Sequence, residues 1–380
     1  MANNLAKIYK PLLFGALVVV YLATVFFSQR STTPVMKIKT VTDKLAVQTT
    51  FAGLLKTPIP APKNVPSAHS STIVKLSDGR LAVAWYGGTR EGSKDTCIYF
   101  STCTDGVWSE PLAIATRFGT TADVKIHTYR MGNPVLSVDN AGVLHLYYVS
   151  TDWFGWAAGK MNHKLSNDAG RTWSAAERLL IEPTTNVSTL VRIGTVQLEN
   201  GSTLLPAYFE CGSKHPDIIL LNNGAVERKW SYPQMDGAIQ PAAVTGTNGH
   251  IYLYCRDSND TYKKIRVGEI DETGKLLTNG CVNIPNRDSS VAAVNFGKYI
   301  VIVCNPVEDG GRNVLSLFAS KDGAEFKKIC DIENGSGEYS YPAALVTGDT
   351  LNITYSYQRK YIGYAKVTLA YIERMFLELK

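Results

Sequence analysis

The sequence predicts an all-β chain, a six-bladed β-propeller preceded by one apolar helix. A turn followed by a short apolar strand recurs six times, and the second strands of these units start near residues 81, 143, 203, 251, 299 and 351. Between residues 67 and 368 there is almost no helical periodicity, and hairpin-forming turns such as Asp-Gly and Asn-Gly join the strands. Six units of similar length are typical of propellers. A β-sandwich, the alternative fold, rarely repeats a unit so regularly.

The amino-terminal segment 11–28 is predicted to be an uncleaved signal anchor that spans a membrane once. It carries no charge and is just long enough to cross a bilayer. Lys7 and Lys10 precede it, which favours a cytoplasmic tail over residues 1–10. A cleaved signal peptide is the alternative, but no small-x-small cleavage site follows the run. The rest of the chain is then expected in a periplasm, at a cell surface or in a secretory lumen.

Three further segments follow the predicted anchor. Residues 29–66 are expected to form an extended stem or linker, because four prolines restrict its last part: Pro58, Pro60, Pro62 and Pro66. Residues 67–368 make up the predicted propeller. In residues 369–380, apolar side chains recur at helical spacing, which predicts an amphipathic helix packed on the propeller. Binding of a partner or a membrane surface is the alternative role for that helix.

Composition excludes several classes of protein. The net charge is +6, from 39 Lys+Arg and 33 Asp+Glu, without a long basic run, which argues against a nucleic-acid binder. The seven cysteines include no C-x-x-C pair, which excludes a disulfide scaffold and argues against a zinc site. No nucleotide-binding glycine loop, H-E-x-x-H motif or G-x-S-x-G elbow is present. No cofactor or metal is expected.

One turn carries a sharper signature. Residues 166–173 read S-x-D-x-G-x-T-W, in which Ser and Asp side chains hold a tight turn, Gly takes a positive φ and Trp fills the space between neighbouring sheets. Incomplete copies of the motif lie at residues 101–108 and 320–326. The motif resembles the Asp-box of sialidase-type propellers. Its role there is structural, so Asp168 is not counted as catalytic.

From about His69 to Val367 the chain resembles the sialidase (neuraminidase) superfamily, in its BNR-repeat branch. The motifs occur in the order of that branch: AWYGGTREGSKDTCIYFS, the Asp-box, LENGSTLLPAYFE, IQPAAV with LYCR, IVCNP with a later Arg, and GEYSYPAAL. Members of the family are six-bladed propellers that remove terminal sialic acids with retention of configuration. Three arginines hold the substrate carboxylate, a tyrosine is the nucleophile, and a second acid protonates the leaving oxygen. The resemblance implies a membrane-anchored exo-glycosidase that acts on a glycan or glycoconjugate without a cofactor.

Individual roles follow from the same resemblance. Arg256 and Arg312 resemble the second and third carboxylate-binding arginines, and Tyr339 falls where the nucleophile stands. His69 occupies the place of the first arginine. Gln240 aligns with the carboxylate that activates the tyrosine, and it cannot take a proton.

The acid/base group is expected on the loop that follows the second strand of the first blade. Glu91 is the favoured acid/base, and Asp95 its neighbour or hydrogen-bonding partner, because two carboxylates on one loop can hold distinct pKa values. Glu210 either substitutes for the activating carboxylate or is simply exposed. Four other cations could replace the first arginine: Arg90, Arg192, Arg287 and Arg359. Three aromatic residues either stack on a sugar or cap a blade: Trp153, Phe154 and Trp156.

Two other functions remain open at this stage. A non-catalytic carbohydrate-binding propeller is motivated by His69 and Gln240, which replace an arginine and a carboxylate of the family pattern. A glycosidase or lyase acting on a different sugar, such as a uronate or deoxysugar, fits the partial arginine set. Purely structural roles are the alternative for these residues. Arg256 and Arg312 could form salt bridges at strand ends, and Tyr339 could pack in the core.

Overall fold

The computed structural model describes residues 19, 36, 53–152, 155–182, 186–309 and 311–378. The chain divides into two compact units, residues 1–36 and 37–380. Apart from residue 19, the predicted anchor 11–28 lies outside the described residues. Within the described part of the chain, no helix combines the length and apolar character that a membrane span requires.

The described residues of the second unit form six antiparallel sheets. Blade one contains β2 (Ser67–Lys75), β3 (Leu81–Gly88), β4 (Cys97–Thr104), β5 (Val107–Trp108) and β6 (Leu112–Thr116). Blade two contains β7 (Arg130–Val138), β8 (Leu144–Thr151), β9 (Lys160–Ser166) and β10 (Glu177–Arg178). Blade three contains β11 (Leu190–Val191), β12 (Val196–Gln197), β13 (Thr203–Phe209), β14 (His215–Asn222) and β15 (Ala225–Ser231).

The remaining blades have four strands each. Blade four contains β16 (Ala238–Thr245), β17 (Ile251–Asp257), β18 (Lys264–Ile270) and β19 (Leu276–Pro285). Blade five contains β20 (Ala292–Phe296), β21 (Tyr299–Cys304), β22 (Val314–Ser320) and β23 (Lys327–Asn334). Blade six contains β24 (Tyr339–Thr347), β25 (Thr350–Tyr357), β26 (Tyr361–Thr368) and β1 (Leu54–Pro58). Short helices span Arg117–Val124 and Leu369–Glu378, with 3₁₀ turns at Trp156–Ala158 and Pro233–Met235.

The sheets close into a ring through their first strands. β2 contacts both β7 and β24, β20 contacts β16 and β24, and blade three joins the ring through β11 against β7 and β13 against β16. Burial follows this arrangement: every residue of β16 is buried, whereas the outer strand β15 has none buried. The predicted all-β six-bladed propeller is therefore confirmed. The first strands surround its axis.

Strand β1 corrects the predicted domain boundaries. It pairs antiparallel with β26, from Leu54 opposite Val367 to Pro58 opposite Gly363, and so completes blade six. The predicted stem 29–66 is wrong at these residues. Proline is tolerated there because an edge strand leaves one side of its backbone unpaired.

The carboxyl-terminal helix forms as the apolar spacing predicts. Ile372 is fully buried among residues of blades five and six. On its polar side, Glu373 forms an ion pair of 3.0 Å with Lys298. The helix therefore packs on the propeller.

The Asp-box turn is held by its own side chains. Ser166 Oγ donates to Asp168 Oδ1 at 2.8 Å, and the Thr172 amide donates to the same oxygen at 2.8 Å. The hydroxyl and backbone amide of Thr172 and the hydroxyl of Ser166 lower the pKa of Asp168 to about 2. Trp173 packs edge-on against Phe100 of blade one, with ring centroids 5.6 Å apart. The turn thus ties blade two to blade one.

The copy in blade five repeats this design. Ser320 Oγ donates to Asp322 Oδ1 at 2.7 Å, and Phe326 packs edge-on against Tyr254 of blade four at 5.7 Å. The copy in blade one is different, because the Ser101 hydroxyl bonds to the Ser109 carbonyl instead. In both intact copies the aspartate serves the turn.

Candidate functional site

Four first strands break their hydrogen-bonded ladder at the same level. The register shifts in β2, β7, β16 and β24, and at each bulge one residue takes a positive φ: Ser70 at 55°, Asn133 at 49°, Gln240 at 53° and Tyr341 at 54°. A left-handed conformation costs a non-glycine residue roughly 1–2 kcal/mol, and such strain gathers at functional sites. Proline follows three of the four, and its missing N–H leaves no ladder bond to lose.

The bulged residues connect the blades across the axis. Ser70 Oγ donates to Asn133 Oδ1 at 3.3 Å, and Asn133 Nδ2 donates to the Tyr208 hydroxyl at 3.4 Å. Gln240 Nε2 reaches the same hydroxyl at 3.5 Å. A polar floor therefore runs from blade one through blades two and three to blade four.

The side chain of Tyr341 lies among aromatic and cationic groups. Its ring lies edge-on to the His69 ring at 4.4 Å. The guanidinium carbons of Arg192 and Arg312 lie 5.2 and 5.3 Å from its centroid. Arg256 Nη1 donates to its hydroxyl at 3.5 Å. Three guanidinium groups from blades three, four and five thus surround one phenol of blade six.

Glu338 joins two arginines at the start of blade six. Arg359 donates to it through Nε at 2.7 Å and Nη2 at 3.1 Å, and Arg312 Nη1 donates at 3.2 Å. Burial opposes its ionisation, but hydrogen bonds from Arg359 and Ser340 and the charge of Arg312 outweigh it. The pKa of Glu338 falls to about 2. The carboxylate is therefore ionised at neutral pH and fixes both guanidinium groups.

Glu91, on blade one, contacts the guanidinium group of Arg359. It forms an ion pair with Arg359 and accepts a hydrogen bond of 3.0 Å from the Tyr86 hydroxyl. His69 Nε2 lies 3.9 Å from Glu91 Oε2. Burial, and next the charge of Arg359, hold the pKa of His69 well below its usual value. The imidazole is therefore neutral at pH 7, and neither of its buried nitrogens has a hydrogen-bond partner among the residues that the structure describes.

Arg256 is fixed by the fourth blade. Its Nη2 and Nε contact Asp288 Oδ1 at 2.6 and 2.7 Å, and its Nη1 donates to Gln240 Oε1 at 3.4 Å. Burial raises the pKa of the nearby Glu210, and the charge of Arg256 opposes that rise. Glu210 is half-buried, between the two environments that the sequence left open for it.

Several residues singled out in the sequence meet at the axis, and others do not. The structure brings together His69, Glu91, Gln240, Arg256, Arg312 and two of the spare cations, Arg192 and Arg359. Asp95 instead closes its own loop, where it accepts from the Thr89 amide at 2.9 Å and hydroxyl at 2.7 Å. Hydrogen bonds from Ser93 and Thr89 lower its pKa. Arg90 is exposed on that loop, and Arg287 pairs with Asp260 at 2.9 Å.

Tyr339 is the largest departure from the expected site. Its ring is buried in the core of blades five and six, 5.1 Å from the ring of Tyr357, and its hydroxyl donates to the Ser336 carbonyl. Tyr341, two residues later, is the tyrosine among the arginines. The bulge in β24 separates the environments of two side chains that an unbroken strand would place on one face.

Sequence reasoning missed Tyr341, Glu338, Asp288, Tyr86 and Asn133. A usable signal is the residue before proline in the first strand, seen in Asn133-Pro134, Gln240-Pro241 and Tyr341-Pro342. Trp153 and Phe154 lie outside the described residues. Trp156 packs close to Gly132 and Tyr86, since a Cβ on Gly132 would lie 2.8 Å from the Trp156 ring and 3.3 Å from the Tyr86 ring.

A family model described as "BNR repeat-like domain" matches residues 79–353. The chain belongs to this BNR repeat-like family. The match includes five complete second strands of the propeller, from Leu81 onwards, and the first half of the sixth, β25. It also includes the residues Glu91, Arg256, Arg312 and Tyr341. Among curated protein sequences, none matches this BNR repeat-like chain.

Solved structures with the same fold include sialidases. The chain superposes on Trypanosoma rangeli sialidase with a TM-score of 0.65 and 13% identity, covering 86% of this chain and 61% of that one. The NanB sialidase from Streptococcus pneumoniae superposes with a TM-score of 0.65 and 12% identity, covering 86% of this chain and 72% of that one. A protein of unknown function from Dyadobacter fermentans superposes with a TM-score of 0.65 and 11% identity, covering 83% of this chain and 99% of that one. At these identities the likeness establishes the propeller fold.

The donor set of the site suits an organic anion. Among the described residues, no group of three or more His, Cys, Asp or Glu side chains is placed to hold a metal ion. Arginines and hydroxyl groups dominate the axis instead, and guanidinium groups bind carboxylates through paired N–H donors.

Proposed function

We propose that this protein is a glycoside hydrolase of the sialidase type that removes a terminal, carboxylate-bearing sugar from a glycan. The observation that carries the proposal is the meeting of Tyr341 with guanidinium groups from three other blades. Membership of the BNR repeat-like family and the fold shared with sialidases support the glycosidase class. Sialic acid is the proposed sugar, and a related acidic sugar is the nearest alternative.

Arg256, Arg312 and Arg359 are the proposed carboxylate-binding groups. Glu338 and Asp288 hold their forks in place but use only part of the five N–H donors that each guanidinium carries. The remaining donors can take up a substrate carboxylate without a change in the positions of the arginines. Arg359 then serves in place of the first arginine of the sialidase pattern.

Tyr341 is the proposed nucleophile, in place of Tyr339. Its oxygen attacks the anomeric carbon while the bond to the leaving oxygen breaks, and Glu91, as the carboxylic acid, gives its proton to that oxygen. Water then attacks the same carbon and gives a proton to Glu91, while the bond to Tyr341 breaks and the phenolate oxygen takes its proton back from the base that accepted it. Two inversions at one carbon give retention. A phenol suits an anionic sugar, because a carboxylate nucleophile would add charge repulsion.

His69 is the proposed acceptor of the phenolic proton. Gln240 holds the position of the family's carboxylate but has no basic atom. The His69 imidazole contacts the Tyr341 ring, and neither of its nitrogens has a hydrogen-bond partner among the described residues. These two properties support a proton-accepting role, for which the family pattern has a carboxylate at the position of Gln240.

The deciding experiment is release of a fluorophore from an α-sialoside by the full chain in mild detergent. Proton NMR of the first product distinguishes retention from inversion, and we expect the α anomer first. A folded protein that releases nothing from sialosides, uronides or deoxyglycosides contradicts the proposal. Saturable binding of an acidic glycan without turnover would instead support the second candidate, a carbohydrate-binding propeller, which Gln240 favours.

Membrane attachment through residues 11–28 belongs to the same proposal. The uncharged run and the preceding lysines support a single anchor with the propeller outside the cytoplasm. In membranes from cells that make the full chain, we expect the protein to resist alkaline carbonate extraction. Complete release into the supernatant would contradict the anchor.

A further inference from the structure

Arg192 is a buried cation without a counter-ion in the part of the chain that the structure describes. The residue is 1% exposed, and no aspartate or glutamate there lies within ion-pairing distance of it. Burial lowers the pKa of its guanidinium to about 10. An uncompensated buried charge costs several kcal/mol, so its retention at the axis calls for a reason.

The hydrogen bonds of Arg192 indicate that reason. It comes from blade three, between β11 and β12, and donates through Nη1 to the Ser71 carbonyl and through Nη2 to the Pro342 carbonyl, both at 3.1 Å. Ser71 and Pro342 directly follow the bulged residues Ser70 and Tyr341. A bulge removes carbonyl groups from the strand ladder, and a buried carbonyl needs a donor. The planar fork of arginine supplies two donors, and here they reach two different blades.

The same guanidinium lies beneath the phenol of Tyr341. Its carbon is 5.2 Å from the ring centroid, and Tyr208 and Tyr86 also act on its charge. A cation fixed in a buried site stabilises negative charge on a neighbouring oxygen much more than it would in water. In the proposed reaction that charge develops on the Tyr341 oxygen.

We infer that Arg192 is a positioning residue for Tyr341: it fixes the bulges of blades one and six and supplies the positive charge beneath the nucleophile. This inference rests on the proposed function for its catalytic part. Because Arg192 is buried under the tyrosine, it does not contact the substrate. Its loss should therefore lower kcat and leave KM almost unchanged.

The experiment compares Arg192→Met, Arg192→Lys and a matched control, Arg266→Met. Arg266 is also buried, lies 4.0 Å from the ring centroid of Tyr262, and donates to the Asp236 carbonyl, but it belongs to β18, away from the axis. We expect Arg192→Met to lower kcat about 100-fold with KM within about threefold of wild type. Arg192→Lys keeps the charge but not the planar fork of donors, so its kcat should be about tenfold higher than that of Arg192→Met. Arg266→Met should keep the wild-type kcat.

Crystal structures of the variants separate this inference from the function itself. In Arg192→Met we expect the Tyr341 hydroxyl to leave Arg256 and the bulge of β24 to shift, while Arg266→Met leaves both in place. If the wild-type protein hydrolyses no glycoside, the proposed function fails and the structures alone decide the positioning role. An unmoved Tyr341, or a wild-type kcat in Arg192→Met, would overturn the inference. Should Arg192→Met fail to fold, the structure and kcat of Arg192→Lys decide it.

Discussion

The axial bulges and the Asp-box turns are both built from polar side chains, but they satisfy them in different ways. In the Asp-box, Ser166 and Asp168 find their partners within four residues of chain. At the axis, the Ser70 amide bonds to Ser356, 286 residues away, and Arg359 pairs with Glu91 at a separation of 268. The hydrogen bonds of the outer turn therefore stabilise one local segment, whereas the axial groups depend on closure of the whole ring.

The two regions also differ in charge and strain. The Asp-box uses one ionised carboxylate, which local hydrogen bonds stabilise. The axis collects four arginines, together with bulges at Ser70, Asn133, Gln240 and Tyr341 whose φ is positive without glycine. Backbone strain and closely packed charges lower stability, and both gather at functional sites. The strain and charge at the axis agree with the proposed chemistry there, whereas the outer turns are built for stability. Four predictions test that division.

The largest expected effect separates two neighbouring tyrosines. Tyr341→Phe should lower kcat/KM about 100-fold or more, or roughly 2.7 kcal/mol, because it removes the proposed nucleophilic oxygen. Tyr339→Phe is the matched control, and its activity should stay within about twofold of wild type. Steady-state hydrolysis of a fluorogenic sialoside measures both. A greater loss in Tyr339→Phe would reverse the assignment.

The next effect sharpens the role of the axial carboxylate. Glu338→Gln should raise KM about 30-fold, because a neutral amide no longer holds the forks of Arg312 and Arg359. Glu269→Gln makes the same change in blade four, where the carboxylate accepts from His250, Tyr252 and Asn248. That variant should leave KM unchanged. Equal effects of the two substitutions would remove the distinction between axis and periphery.

A test by pH addresses the outer part of blade two. Burial, and next the charge of His145, lower the pKa of His163 to about 4. His145 bonds to His163 at 2.9 Å and to Asp139 at 3.2 Å, and Tyr147 stacks on both rings. The unfolded chain binds a proton near pH 6.5, so this histidine reduces stability as pH falls from 6.5 towards 4.

Between pH 7 and pH 5, wild type should lose about 2 kcal/mol of unfolding free energy more than His163→Gln. Urea denaturation at the two pH values measures the difference. Parallel losses in the two proteins would rule out His163 as the source. The same titration leaves Glu338 ionised, since its pKa of about 2 lies below this range.

The smallest effect belongs to the Asp-box. Asp168→Ala should lower the melting temperature by about 1–2 °C, because it removes local hydrogen bonds from an exposed turn. Sialoside hydrolysis should not change. Differential scanning calorimetry and the activity assay together measure the outcome. Lost activity in a folded Asp168→Ala protein would contradict a purely structural role.

Local patterns allowed much of the fold to be predicted. The second strands begin at Leu81, Leu144, Thr203, Ile251, Tyr299 and Thr350, at or within one residue of the predicted starts. Turn chemistry and apolar runs are properties of consecutive residues, so a single sequence contains them. Strand β1 was missed because its partner β26 lies some three hundred residues away, and no local pattern encodes that pairing.

The site was harder to predict for a related reason. Arg256, Arg312 and Glu91 follow from the order of motifs, but the choice between Tyr339 and Tyr341 depends on one bulge. A bulge changes which residues face the axis without changing composition or periodicity. The pairing of Arg359 with Glu338 and Glu91 is likewise a product of the closed ring.

The closure of blade six by β1 has a mechanical consequence. Tension on the chain before residue 54 enters the propeller through this one edge strand, which is held by β26 and by the contact of Lys56 with Glu333. Separation of those five residues from β26 would open the propeller at blade six, which carries Tyr341. Force applied from that side would therefore act on blade six, the blade that carries Tyr341.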